Sequence, residues 1–97
     1  MDTMRIEVTV PGLLRDCVGG TQRFAFDVAD GEPLDAAVDR LMGAYPLLRR
    51  HVYNEAGQVR RHVLIFYNDE NVTRLERRDL PLKTGDRVSI LQAVSGG

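Results

Sequence analysis

The residues most able to take part in a reaction are Gly96 and Gly97, which end the sequence. Glycine has no Cβ, so a Gly-Gly arm is thin and meets little steric repulsion. Such an arm can carry a terminal carboxylate into a narrow active site, where activation as an acyl adenylate would expose its carbonyl to a sulfur or amine nucleophile. A frayed terminus or a truncated chain would give the same ending. The two glycines alone leave these interpretations open.

Few other side chains have the types and spacing that catalysis or metal binding needs. Cys17 is the only cysteine, which excludes an internal disulfide and a cysteine metal cluster within one chain. A lone thiol is typically a small, partly buried hydrophobe. His51 and His62 each follow an arginine pair and have no acidic or cysteine partner at ligand spacing. We therefore predict no catalytic residue and no metal site in this chain.

The composition is that of one small globular domain. The 97 residues are 43% hydrophobic and 28% charged, with a formal net charge of -1. A chain so close to neutrality has no overall field to hold a polyanion, so we expect no nucleic-acid partner. No apolar stretch approaches the roughly 20 residues that a membrane-spanning helix requires. The sequence opens into a strand pattern rather than a signal peptide, and we expect a cytoplasmic protein with no membrane partner.

The first half of the chain predicts a hairpin followed by a helix. Two runs alternate apolar and polar residues, the period of a half-buried strand. Apolar residues then recur at helical spacing from Pro33, which fits the first helical position, to Pro46. The first strand is marked by Met4, Ile6, Val8 and Val10, the second by Phe24, Phe26 and Val28, and the helix by Leu34, Ala37, Val38, Leu41, Met42 and Tyr45. A further short helical turn after Pro46 fits Leu47, Leu48 and Val52.

The second half predicts two more strands and completes the fold. Residues His62 to Tyr67 are almost all apolar, which favours a strand buried on both faces at the centre of the sheet. Thr84-Gly85-Asp86 reads as the turn before a last strand, Arg87 to Leu91. If the first and last strands lie side by side, the helix supplies the right-handed crossover. We therefore predict an α+β, β-grasp (ubiquitin-like) domain over residues 1–91, with one main helix across a mixed sheet and a flexible tail over residues 92–97.

Three short motifs follow one another in the second half of the chain. They are Val63 to Glu70 with its Asn-Asp-Glu turn, Gly85-Asp86-Arg87-Val88-Ser89-Ile90, and Val94-Ser95-Gly96-Gly97. Each motif is weak alone, but their order, spacing and terminal position are specific, and together they resemble the MoaD/ThiS family of ubiquitin-like sulfur carriers over essentially the whole chain. Gln92-Ala93 departs from the proline that many relatives have before the tail. The long segment from residue 46 to 61 fits the larger molybdopterin-synthase-like or cysteine-biosynthesis-like carriers better than the thiamin type.

The resemblance implies a sulfur carrier that is not itself an enzyme. An adenylating, ubiquitin-activating-like partner would use ATP to activate the carboxylate of Gly97, and the carrier itself would bind no cofactor. A sulfurtransferase would supply the sulfur of a terminal thiocarboxylate. An acceptor enzyme, such as the large subunit of molybdopterin synthase or a cysteine synthase, would then receive the sulfur. Val94, Ser95 and Gly96 would thread the tail into these partner active sites.

The body of the domain would serve recognition. Phe66, Leu75 and Leu91 are candidates for a partner-facing apolar patch, although core packing is the commoner fate of such residues. Three arginine pairs, at residues 49–50, 60–61 and 77–78, are candidates to dock an acidic partner or to lie near phosphate, although charge pairs on loops are usually solvated surface.

Two other functional classes stay open at this stage. A ubiquitin-like modifier would be joined through the carbonyl of Gly97 to lysines of target proteins. The only lysine of the chain itself is Lys83, so such targets would lie elsewhere. A plain β-grasp binding module would have an incidental tail. A soluble thiocarboxylate marks the carrier, an isopeptide-linked product marks the modifier, and indifference to loss of Gly96 and Gly97 marks the binding module.

Overall fold

A single mixed sheet of five strands organises the molecule. The computed structural model describes residues 2–72 and 75–92. Within them the strand order across the sheet is β2-β1-β5-β3-β4. The strands are β1 (Thr3–Thr9), β2 (Arg23–Ala29), β3 (Val63–Tyr67), β4 (Glu70–Asn71) and β5 (Arg87–Gln92).

The topology is that of a β-grasp fold. β1 and β2 form the predicted antiparallel hairpin, in register from Thr3 opposite Ala29 to Thr9 opposite Arg23. β5 then lies parallel to β1 on one edge and antiparallel to β3 on the other. Parallel neighbours cannot be joined by a tight turn, so the chain must cross over between them, and the helices lie in that crossover. The predicted α+β class and the β-grasp arrangement are confirmed.

The position of β3 differs from the prediction. β3 lies between β5 and the two-residue strand β4, and β5 occupies the middle of the sheet. Val63 and Ile65 are buried, whereas Leu64 and Phe66 are only half-buried. The expectation of a central strand buried on both faces is therefore wrong. The apolar run arises because β3 contributes one set of residues to the core and a second set to the other face of the sheet.

Three helices pack on one face of the sheet, and their ends follow from local chemistry. A 3-10 helix covers Gly12–Val18, α1 covers Leu34–Ala44 and α2 covers Pro46–Val52. α1 begins one residue after Pro33, whose backbone is extended. Its first amides bond outside the helix, from Leu34 N to Leu80 O (2.8 Å) and from Asp35 N to Arg78 O (2.9 Å). Pro46 begins α2, where its missing N–H costs no hydrogen bond. None of the described helices has the length and hydropathy to cross a bilayer.

The core fills the space between these helices and one face of the sheet. Alternate residues of the strands and the inward face of α1 form one cluster, in which Val8, Leu48, Val52 and Ile90 are fully buried. One charged side chain among the described residues is buried, that of Glu32, which is 8% exposed. Its carboxylate accepts hydrogen bonds from the guanidinium of Arg40, the shortest at 2.6 Å. The bidentate contact compensates the buried carboxylate for its lost hydration.

Adjacent residues of β5 provide a direct check on this two-faced sheet. Ile90 is 0% exposed and Leu91 is 43% exposed. We expect Ile90→Ala to lower the free energy of unfolding by about 2–5 kcal/mol, because it removes core contacts and leaves a cavity. Leu91→Ala should cost less than about 1 kcal/mol. Denaturant titration of both variants measures the difference, and equal losses would contradict the assignment of the two faces.

Candidate functional site

The strand that leads towards the predicted tail is held by hydrogen bonds on both of its edges. β5 pairs with β1 from Arg87 opposite Glu7 to Ser89 opposite Thr9, and with β3 as far as Gln92 opposite Val63. A strand bonded on both edges has its direction and register fixed. The residues predicted to enter partner active sites lie outside the described residues. They are Val94, Ser95, Gly96 and Gly97.

A cluster of hydrogen bonds around Asp86 fixes the start of β5. The carboxylate of Asp86 accepts from the Tyr67 hydroxyl at 2.7 Å and from the Lys83 backbone amide at 2.8 Å. Asn68 Nδ2 lies 3.4 Å from the second carboxylate oxygen. The backbone carbonyl of Asp86 accepts from Glu7 N at 2.9 Å, which ties the cluster to β1. We call Tyr67, Asn68 and Asp86 the clamp.

Asn68 joins two turns that are far apart in sequence. Its φ of 54° is a left-handed conformation that asparagine tolerates better than most residues. Asn68 Oδ1 accepts from Arg87 N at 2.9 Å, and Asn68 N donates to Arg87 O at 2.8 Å. The Asn-Asp-Glu and Gly-Asp motifs, which the sequence presents as separate turns, are therefore bonded partners that align β3 with β5.

The clamp also sets the ionisation of its members. Burial together with the hydrogen bond to Asp86 raises the pKa of Tyr67 to about 12. Burial alone would raise the pKa of Asp86, but the hydrogen bonds from Tyr67, the Lys83 amide and Asn68 outweigh it and lower that pKa. Asp86 therefore remains an ionised acceptor and Tyr67 a protonated donor at neutral pH. This pairing is suited to holding structure rather than to moving protons.

The face of the sheet opposite the helices carries a small apolar patch. Leu64 and Phe66 of β3 alternate with core residues and so point away from the helices, and Leu91 does the same on β5. Leu64 stands directly opposite Leu91, and Phe66 stands opposite Ser89, so the patch crosses two neighbouring strands. Leu64, Phe66 and Leu91 are the open-face patch.

The structure brings together two of the three predicted interface residues and separates the third. Phe66 and Leu91 lie on the open face, whereas Leu75 is half-buried and packs against the core. Leu64 was not among the predicted residues. Its position two residues before Phe66 on the same strand was the signal that could have identified it.

Ion pairs flank the patch on the open face, between β1 and β2 and at the start of β5. Arg5 Nε lies 3.2 Å from Asp27, Arg23 Nε lies 3.2 Å from Glu7, and Arg87 lies 3.3 Å from Asp69. All six side chains are at least 39% exposed. Such solvated pairs contribute little to stability but give the rim of a contact surface a defined charge pattern.

The remaining candidates for chemistry are placed where no reaction centre forms. Cys17 is half-buried against the core, and His51 and His62 are exposed. Among residues 2–72 and 75–92, no three His, Cys, Asp or Glu side chains come close enough to hold a metal ion.

The β-grasp topology, the clamp and the open-face patch define a small ubiquitin-like domain, and comparison with known proteins places it further. The model of the ThiS family matches residues 8–97. The chain belongs to the ThiS family, which confirms its resemblance to the ubiquitin-like sulfur carriers of the MoaD/ThiS group.

Relatives with related roles cover nearly the whole chain. The chain is 31% identical to the sulfur carrier protein CysO of Mycobacterium tuberculosis over 97% of its own length and 100% of that protein. It is 29% identical to small archaeal modifier protein 1 of Haloferax volcanii, covering 82% of this chain and 87% of that one. The structure of the BexX/CysO complex of Amycolatopsis orientalis matches with a TM-score of 0.71 and 26% identity, covering 95% of this chain and 99% of that one.

The clamp predicts a specific dependence of stability on pH. Because the pKa of Asp86 is lowered in the folded state, the folded protein binds fewer protons than the unfolded chain in the acid range. The contribution of Asp86 is therefore complete above the unfolded pKa of about 3.9 and is lost as the pH falls through the folded pKa. We expect the free-energy gap between the parent protein and Asp86→Asn to be widest near neutrality and to narrow in acid.

Denaturant unfolding at a series of pH values measures that gap. Tyr67→Phe is the matched control, because it removes one hydrogen bond to the carboxylate and should make the pH dependence shallower without abolishing it. A gap between parent and Asp86→Asn that stays constant from neutral to acid pH would contradict this role for the clamp.

Proposed function

We propose that this protein is a sulfur carrier whose C-terminal Gly97 carboxylate is converted to a thiocarboxylate by partner enzymes. The observation that carries the proposal is the family match, which extends through the terminal Gly-Gly to Gly97. The similarity to CysO, a protein named as a sulfur carrier, supports it over 97% of the chain.

The proposed cycle needs ATP, a persulfide and a thiol from its partners. An adenylating enzyme joins the Gly97 carboxylate to the α-phosphate of ATP and releases pyrophosphate. A persulfide sulfur attacks the acyl carbon, expels AMP and forms an acyl disulfide. A second thiolate then attacks the sulfur that is not bonded to the acyl carbon. The sulfur–sulfur bond of the acyl disulfide breaks, which leaves the thiocarboxylate on Gly97 and a disulfide on the partner side. Activation is required because a free carboxylate is a poor acyl donor.

Delivery of the sulfur returns the carrier to its starting state. The thiocarboxylate sulfur attacks an electrophilic carbon of the acceptor, breaks that carbon's bond to its activating leaving group, and forms a thioester. Hydrolysis of that thioester adds water oxygen to the acyl carbon, regenerates the Gly97 carboxylate and leaves the sulfur on the acceptor. The two acceptor classes that fit this carrier type are an activated serine derivative and a molybdopterin precursor.

The open-face patch is the surface we assign to docking of these partners. Leu91 lies on the strand that leads towards the tail, so a partner seated on the patch is close to Gln92, the last described residue of that strand. Exposed apolar side chains surrounded by charge are typical of protein contact sites. The BexX/CysO complex, in which a CysO protein assembles with a partner, supports a role in partner binding.

A second candidate function is covalent protein modification. The similarity to small archaeal modifier protein 1 favours it. Both functions begin with the same acyl adenylate and differ in the nucleophile, a sulfur in one case and a target lysine amine in the other. The product therefore decides between them.

The first test is the intact mass of the protein after incubation with ATP, a family-type adenylating enzyme and a persulfide-generating sulfurtransferase. We expect the mass change of replacing one oxygen by sulfur, with no change in a variant that lacks Gly97. Supplying each acceptor class in turn, with its enzyme, should then return the mass to its starting value in one case. No mass shift with an active partner set would contradict sulfur carriage, and an isopeptide-linked product would establish the modifier.

The second test addresses docking. Leu91→Asp places a charge on the open-face patch without entering the core, and we expect it to lower kcat/KM for thiocarboxylate formation by about tenfold or more. Leu13→Asp is the matched control, since Leu13 is 86% exposed on the 3-10 helix, on the other side of the sheet. Equal rates for both variants, with the fold retained, would exclude the patch as the docking surface.

A further inference from the structure

The helical side of the molecule carries a concave basic site that the proposed sulfur chemistry does not use. Arg49, Arg50 and Arg60 line a cleft of about 490 Å³ around the turn that follows α2, together with Tyr53, Asn54, Glu55, Ala56 and Gly57. We call this site the arginine cleft. The only carboxylate among its lining residues is that of Glu55.

The arginines of the cleft differ from most others in the described chain. Arginines at five other positions have a carboxylate within 4 Å, namely Arg5, Arg23, Arg40, Arg77 and Arg87. No such pair is formed within residues 2–72 and 75–92 by the three cleft arginines. Asp39 lies near Arg49 beyond Tyr53, in an adjoining depression, without pairing to it. Three arginines thus line one cleft, and none of them forms an ion pair within 4 Å with a carboxylate of the described residues, although Glu55 lies in the same lining.

The cleft is held in shape by the backbone around it. Tyr53 and Val59 form an antiparallel bridge that brings Arg60 beside the end of α2. Arg60 N donates to Val52 O at 2.8 Å, and Arg60 Nε donates to Arg50 O at 3.2 Å. Favourable interaction with the carbonyl end of α2 accounts for Arg49 and Arg50 in its last turn. Arg60, ten residues further along the chain, joins the same interaction through its Nε bond to Arg50 O, so all three arginines gather at this end of the helix.

The donors available in the cleft indicate which anion it suits. Compact phosphates are usually held by free backbone amides at helix N-termini or in turns. Here four amides of the turn donate internally, and α2 presents its carbonyl end. The cationic donors of the cleft are three long arginine side chains, which suit carboxylates spaced along a chain. The internal bonds run from Asn54 N to Gln58 O, from Gly57 N to Asn54 O, and from Ala56 N and Gln58 N to Asn54 Oδ1.

We propose that the arginine cleft docks an acidic segment of a partner protein. The cleft lies on the helical side of the sheet, so an acidic segment could bind there while the open-face patch is occupied by the same partner or another. Long-range attraction between such charges raises association rates, and the contacts weaken with salt. This inference goes beyond the proposed function and does not depend on transfer of sulfur.

The test is titration of the full-length protein with a labelled peptide of alternating glutamate and serine, followed by fluorescence anisotropy at low and high salt. A peptide with glutamine in place of glutamate is the ligand control and should not bind. The cleft variant replaces three arginines by glutamine, and the control variant makes the same change at three exposed arginines outside both the cleft and the rim of the open-face patch. The substitutions are Arg49→Gln, Arg50→Gln and Arg60→Gln against Arg15→Gln, Arg61→Gln and Arg77→Gln.

We expect the cleft variant to lose about tenfold or more in affinity and the control variant to change less than about twofold. A double variant, Arg49→Gln with Arg50→Gln, retains the backbone contact of Arg60 and should show an intermediate loss. Shifts of the arginine Nε resonances should locate the peptide. Equal losses in the cleft and control variants would overturn the proposal, and so would tighter cleft binding of pyrophosphate than of the peptide, which would make this a phosphate site. Because no step involves Gly97, failure here leaves the mass-shift test unaffected.

Discussion

Pairing of β5 along both of its edges is the interaction on which the rest of the molecule depends. β5 lies beside β1 and β3, so it connects the hairpin from the beginning of the chain with the strands from its second half. Its buried residues Val88 and Ile90 complete the core, while Leu91 completes the open-face patch. A slip of one residue would exchange these two sets, exposing the core side chains and burying the others. The clamp resists such a slip, because it bonds the residue immediately before β5 to the end of β3.

Local patterns of the sequence were sufficient for most of the fold. The two strands of the hairpin, α1 and the last strand can each be recognised within about ten residues, because their apolar residues recur with a period of two or of about 3.6. The position of β3 could not be predicted in this way. An apolar run shows that both faces of a strand avoid water, but it does not show whether helices, a partner protein or partial exposure accounts for the second face. In β3 the second face belongs to Leu64 and Phe66, outside the core.

Only those parts of the candidate site that consist of consecutive residues could be predicted from the sequence. The terminal glycines and the two turn motifs were visible, and the family match confirmed what they jointly indicate. The clamp was not visible, since Asn68 and Arg87 are bonded across 19 positions and each turn alone is common in proteins. The arginine cleft could not be predicted for the same reason. Arg50 and Arg60 belong to different pairs in the sequence and become neighbours only through the bridge between Tyr53 and Val59.

In the proposed cycle the carrier binds several partners in turn, each one briefly, and the two surfaces proposed for docking suit that requirement. The open-face patch contains three apolar side chains, a small area compared with stable protein interfaces, so it favours short residence. Such a surface would by itself find its partners slowly. Unpaired arginines on the helical side add attraction at long range, which raises the rate of encounter more than it prolongs the complex. Fast association and fast release can therefore be set by different residues, with the rigid sheet between them keeping each surface in shape when the other is occupied.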